Sequence, residues 1–171
     1  MSEEKRKGEK SVAISTFLIM DRVDAVQYCQ EQHKEKAALI SINSCGQRPA
    51  RITKTQENGV ISVLRLFFDD VVIGPNSFDE DHAESIIRFV DAWRDSADVL
   101  LVHCDAGVSR SAAVCAAAKR YLGVDDMDVF RSTQYEPNHL VYTTIRKITA
   151  GETYTPEQDR ERFLINDWLN N

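Results

Sequence analysis

Apolar positions along the chain fall into two rhythms. Short runs dense in β-branched and apolar residues predict strands at Val12–Met20 (VAISTFLIM), Ala37–Ser44 (AALISINS), Val60–Phe68 (VISVLRLFF) and Val99–Val102 (VLLV). Between them the spacing turns helical. Asp21 can cap a helix over Asp24–Lys34 with Val23, Val26 and Cys29 at helical spacing, and Asp79–Asp95 carries Ile86, Phe89, Val90 and Trp93 on one face. His82, early in that helix, is expected to be exposed. Ser111–Leu122 (SAAVCAAAKRYL) is built of strong helix formers and stops at Gly123. A short acidic-start helix is expected over Val124–Gln134, another helix over His139–Thr149 up to Gly151, and a last one behind Thr155-Pro156, running through Phe163, Ile165 and Trp168. The segment Cys45–Asn58, with Gly46, Pro49 and Asn58-Gly59, reads as a loop.

The last strand leads straight into HCDAGVSRS, His103 to Ser111, and then into the alanine-rich helix. Strand, tight loop and helix aim backbone N–H groups into one small bowl at the positive end of a helix dipole, where a phosphate can be held. Cys104 stands at the rim of that bowl, and a cysteine acts as a nucleophile only as the thiolate. Amides, helix terminus and Arg110 all favour the negative sulfur. The five residues between Cys104 and Arg110 let the loop curl so that the guanidinium lies beside the sulfur and its fork can grip phosphoryl oxygens. Gly107 offers freedom in φ and close backbone approach. Ser111 can give a hydroxyl to the sulfur, and His103 can brace the loop through backbone.

Composition narrows the setting. The chain of 171 residues suffices for one domain with a real core, and its net charge of −6 argues against nucleic acid or an anionic membrane surface as the main partner. Cys29, Cys45, Cys104 and Cys115 show no CxxC spacing and the four histidines do not cluster, so no metal site and no cofactor are expected. A thiol nucleophile needs a reducing compartment, which points to the cytoplasm. The charged leader Met1–Lys10 reads as a flexible solvated tail without the apolar heart of a signal peptide, and Val12–Met20 is too short and polar to span a bilayer. Arg48, Arg51 and Lys54 make the Cys45–Asn58 loop basic, either as a solvated connector or as a lip for an acidic substrate.

The stretch His103–Ser111 resembles the HC-x5-R-[ST] signature of the cysteine-based protein phosphatases, nearest the dual-specificity branch, and PNHLVYTTI, from Pro137 to Ile145, is similar to the segment that backs their phosphate loop. The resemblance covers about residues 11–151, leaving residues 1–10 as a tail and 152–171 as a C-terminal helix packed on or extending from the domain. It implies an α/β fold with a central, mostly parallel sheet flanked by helices on both faces. It implies hydrolysis of a phosphomonoester through a phosphocysteine on Cys104. Asp105, Ala106, Gly107, Val108, Ser109 and Arg110 would bind the phosphate, Ser111 would assist the sulfur as leaving group, and His103 and Asn138 would support the loop. A general acid is expected in the loop after the third strand; the layout of LFFDD favours Asp70, with Asp69 the alternative, while Asp79 and Asp81 fit a helix start. Cys45 would stand where some relatives keep a thiol that pairs with the nucleophile under oxidation; Cys115, eleven residues beyond Cys104 and along the following helix, should not reach it. The implied partner is a phosphorylated protein or peptide, phosphotyrosine before phosphoserine or phosphothreonine. The tyrosine clamp of larger tyrosine-specific enzymes is not evident, and Asp105 in place of a loop lysine disfavours inositol polyphosphates. Alternatives are a phosphoinositide or RNA 5′-phosphatase, a rhodanese-type sulfurtransferase, whose loop differs in length, and a non-catalytic phosphate-binding module.

Overall fold

The computed structural model describes residues 13–171; the charged leader and the first residue of the expected opening strand, Val12, lie outside the described residues. Strands β1 (Thr16–Met20), β2 (Ala37–Asn43), β3 (Val60–Phe67) and β4 (Val99–His103) form one sheet in the order β1-β4-β2-β3, every neighbouring pair parallel. Every residue of the two central strands, β2 and β4, is buried. That is why their sequences read as continuous apolar runs: a parallel strand covered on both faces has no solvent side to alternate with. The edge strand β1 is only half-buried, and β3 mixes buried, half-buried and exposed positions.

Helices cover both faces, as the strand–helix alternation requires. The side chains of Ala38, Ile40, Ile42, Leu100 and Val102 point into a large core closed by α2 (Glu80–Trp93), α3 (Arg110–Tyr121) and α5 (His139–Ala150). Ala37, Leu39, Val99 and Leu101 point the other way, into a smaller core closed by Ala25 and Tyr28 of α1 (Arg22–Tyr28) and by Ala50 and Ile52 of the following loop. Asp21 caps α1 by accepting from the Asp24 amide, and Asp79 caps α2 within a reciprocal box with His82.

The boundaries differ from the periodicity where tertiary partners take over. The first strand starts at Thr16, because the amides of Ala13 and Ile14 turn to the Arg94 carbonyl and that of Ser15 to Asp98. Helix α1 stops at Tyr28, short of Lys34. There the Cys29 carbonyl takes the Asn58 side-chain amide, and His33 folds back to stack on Tyr28, ring centroids 3.7 Å apart. Of Val124–Gln134 only Met127–Phe130 (α4) is helical, since Asn166 captures the carbonyls of Phe130 and Tyr135. His82 is not the exposed residue expected. Its side chain is 22 % exposed, its Nε2 lies 3.1 Å from the Phe67 carbonyl, and its ring packs on Phe68 and Phe78.

Behind α5, a 3-10 turn (Pro156–Asp159) opens α6 (Arg160–Asn170); Thr155 makes no side-chain capping bond there. Helix α6 packs onto the domain through Phe163, which meets Phe130, His139 and Tyr142. No helix among the described residues is long and apolar enough to cross a membrane.

Candidate active site

The carboxyl end of the central strand β4 delivers Cys104 and the loop Asp105–Ser109 to the N-terminus of α3. Three of the loop's carbonyls are tied to neighbouring segments. The Arg22 amide donates to the Asp105 carbonyl (3.2 Å), the Glu136 amide to Val108 (3.0 Å) and the Asn138 amide to Ser109 (3.2 Å). On the other side the Gly107 amide donates to Cys104 Sγ at 3.3 Å. Gly107 is the residue this turn cannot exchange. Its φ is +67°, and a Cβ there would stand 2.6 Å from the Asp21 nitrogen and 2.7 Å from the Met20 carbonyl carbon. The β1–α1 corner thus packs directly on the loop.

Cys104 is 2 % exposed, and Ser111, on the first turn of α3, sets its Oγ 3.1 Å from Sγ. Arg110 is almost fully buried. Its Nη1 donates to the Phe68 carbonyl (2.9 Å) and to Ser44 Oγ (3.0 Å), and its Nη2 to Asp105 Oδ2 (2.9 Å). Its Nε is buried and has no acceptor among the described residues. Asp105 completes a triangle by accepting from Ser44 Oγ at 2.5 Å, and Arg22 Nη1 stands 3.7 Å from its other oxygen. Burial pushes the Asp105 carboxyl up, but the Ser44 hydroxyl and the Arg110 guanidinium outweigh it and hold the group below its ordinary value. Ala106 is exposed and Val108 half-buried.

Ser44 and the Phe68 carbonyl were not among the residues the sequence singled out. The signal was tertiary: Ser41 of β2 sits opposite His103 of β4, so Ser44, three residues on, reaches the level of the loop.

His103 lies behind the loop, fully buried. Its Nδ1 is 3.2 Å from the Cys104 carbonyl, an acceptor only, so that nitrogen carries the proton; Nε2 then accepts from Ser41 Oγ at 2.7 Å. Burial lowers its pKa and keeps the ring neutral. Asn43 extends this buried chain, reaching the Ser41 carbonyl and taking the Ala50 amide on its own oxygen.

The two candidate acids part company. Asp70 is exposed, and its Oδ1 accepts from Ser109 Oγ and from Asn138 Nδ2, each at 2.8 Å. Asp69 turns away, accepting from the Cys45 amide (2.9 Å) and Asn76 Nδ2 (3.4 Å). Asn138 does two jobs, since its Oδ1 also caps α5 through the Val141 amide. Cys45 is a half-buried free thiol, anchored to Asp69 through its backbone. In the basic loop, Arg48 lends its carbonyl to Arg22 Nη2 (2.6 Å), while the side chains of Arg48, Arg51 and Lys54 are exposed.

No model of a known protein family matches the sequence, and a search of curated proteins finds no match. Solved structures do. Human DUSP28 is 22 % identical, with a TM-score of 0.55 over 81 % of this chain and 94 % of its own. A human tyrosine phosphatase-like serine/threonine/tyrosine-interacting protein is 20 % identical, with a TM-score of 0.57 over 81 % and 93 %. A mouse putative dual specificity phosphatase complexed with zinc tungstate is 21 % identical, with a TM-score of 0.54 over 95 % and 96 %. Over most of its length, therefore, this chain has the fold of the dual-specificity phosphatases.

Proposed function

We propose that this protein is a phosphomonoester hydrolase that acts on phosphoproteins through a phosphocysteine intermediate. The observation that carries the reading is the setting of one sulfur. Cys104 Sγ receives the Gly107 amide, has Ser111 Oγ beside it, and stands in a loop that ends on the buried Arg110, three of the loop's carbonyls being taken by amides from other segments. Such donors stabilise a thiolate and match the oxygens of a phosphoryl group.

In the first step the thiolate attacks phosphorus in line, a P–S bond forms and the P–O bond to the leaving group breaks. The leaving oxygen takes a proton from Asp70. Both hydrogen bonds to Asp70 end on Oδ1, which leaves Oδ2 for that proton. In the second step the Asp70 carboxylate takes a proton from water as the water attacks phosphorus, and the sulfur departs with the Ser111 hydroxyl at hand. Arg110 and the amides of residues 105–110 hold the equatorial oxygens, where charge spreads in the transition state. Cys45 remains a candidate partner for Cys104 under oxidation, and a nucleophile of this kind works in the reducing cytoplasm.

Phosphotyrosine is the first choice of substrate and phosphoserine or phosphothreonine the second. Asp105 beside the anion site tells against a crowded polyphosphate or inositol polyphosphate. A non-catalytic phosphate-binding module is the second reading, favoured by a neighbour of this fold described as phosphatase-like and interacting. One comparison separates them. Cys104→Ser should abolish hydrolysis of an aryl phosphate while inorganic phosphate still binds. A wild type that binds phosphate but hydrolyses no aryl phosphate or phosphopeptide would leave the binding module standing.

A further inference from the structure

The Arg110 guanidinium has two usable edges, and this fold has committed one of them. The end edge, Nη1 with Nη2, is engaged by Ser44 Oγ and Asp105 Oδ2, and the other Nη1 proton goes to the Phe68 carbonyl. The side edge is Nε with the second proton of Nη2, and there Nε–H is buried and has no acceptor among the described residues. Buried donors are nearly always satisfied, so an orphaned one beside an anion cradle points to a ligand atom as its partner. Two parallel N–H groups are the geometry that grips two oxygens of one phosphoryl group.

Building on the phosphatase reading, we propose that Ser44 and Asp105 are positioning residues for Arg110: together they lock the end of its guanidinium so that the side edge stays presented to the phosphoryl oxygens. The triangle is closed on all sides. Ser44 Oγ accepts from Arg110 Nη1 and donates to Asp105 Oδ2, which in turn accepts from Arg110 Nη2. The remaining Asp105 oxygen faces Arg22 Nη1 at 3.7 Å, so the carboxylate is itself steadied from the β1–α1 corner. An arginine left to rotate could turn its end edge to the anion and lose the paired approach; the clamp removes that freedom before the substrate arrives.

A double-mutant cycle tests this. Ser44→Ala, Ser44→Thr and Asp105→Asn are measured alone and combined with Arg110→Lys, reading kcat and KM on an aryl phosphate and the affinity for inorganic phosphate. Ser44→Ala and Asp105→Asn should each lower kcat/KM about tenfold and weaken phosphate binding, while the hydroxyl kept in Ser44→Thr restores most of the loss. In the Arg110→Lys background, where no fork is left to orient, Ser44→Ala should cost less than about twofold more, the signature of residues acting through one another. Wild-type-like kcat/KM and phosphate affinity in both single variants would overturn the proposal. So would an equal loss from Ser44→Ala in the two backgrounds. Absence of hydrolysis by the wild type would count against the phosphatase reading alone, since the phosphate-binding arm of the cycle still reports on the clamp.

Discussion

Asp69 and Asp70 are adjacent in the chain and employed in opposite directions. Asp70 is tied by Ser109 and Asn138 to the rim of the phosphate loop, whereas Asp69 holds the backbone of Cys45. Asp70→Ala is therefore expected to lower kcat by about a hundredfold on an aryl phosphate with a poor leaving group and much less on one with a good leaving group. Asp69→Ala should show no such split, and the reverse pattern would exchange the two assignments. His103 carries a prediction of a different kind. Buried and neutral, it has a folded pKa below the ordinary 6.5, so in the window between the two values the unfolded chain binds a proton that the folded one refuses. Its contribution to stability is complete above 6.5 and declines as the pH falls through that value toward the folded one. Thermal unfolding followed against pH should show the decline in the wild type and a flatter profile in His103→Asn.

At the scale of elements, the unit that matters is β4, the loop and α3, and it was legible because its code is local. A buried strand, a glycine at a fixed offset, a cysteine and an arginine separated by five residues, and a run of helix formers all lie within one stretch. Gly107→Ala should break it. Positive φ alone costs a non-glycine residue about 1–3 kcal/mol, and a Cβ 2.6 Å from backbone cannot be relieved by a side-chain rotation. The variant is expected to lose activity together with stability, measured by urea unfolding beside kinetics; a wild-type-like variant would mean that the loop does not rest on the β1–α1 corner. What stayed hidden was whatever depends on two strands at once. Ser44 looked like the polar end of a strand until the register of β2 on β4 brought it under Arg110. The ends of α1 and α4 were likewise set by Asn58 and Asn166, residues far away in sequence whose capture of a carbonyl no periodicity announces.

On the scale of the whole molecule, the C-terminal segment is bound in by charge as well as by Phe163. Asp126 and Asp159 are buried and share Arg120 and Arg162, while Arg146 holds Asp159 alone. Arg162 reaches both carboxylates, with Nη2 2.9 Å from Asp126 and Nη1 3.3 Å from Asp159. Without Arg162, Asp159 still has Arg146 and Arg120, and Asp126 still has Arg120 and the Tyr142 hydroxyl, so neither carboxylate is stranded and the cost stays below the roughly 3–5 kcal/mol of a buried charge left alone. Arg162→Ala should accordingly lower unfolding stability by about 1.5–3 kcal/mol, the worth of hydrogen bonds to a charged group, whereas a loss under about 1 kcal/mol would mean that Phe163 and Asn166 hold α6 without Arg162. All of this scaffolding converges on a single sulfur at the carboxyl end of the central strand. The most direct test is to quench the wild-type protein with acid while it turns over an aryl phosphate, and to map the phosphoryl group by mass spectrometry. The account predicts the group on the peptide containing Cys104, and none there in Cys104→Ser. Turnover that proceeds without phosphorylating Cys104, or that survives Cys104→Ser undiminished, would contradict it.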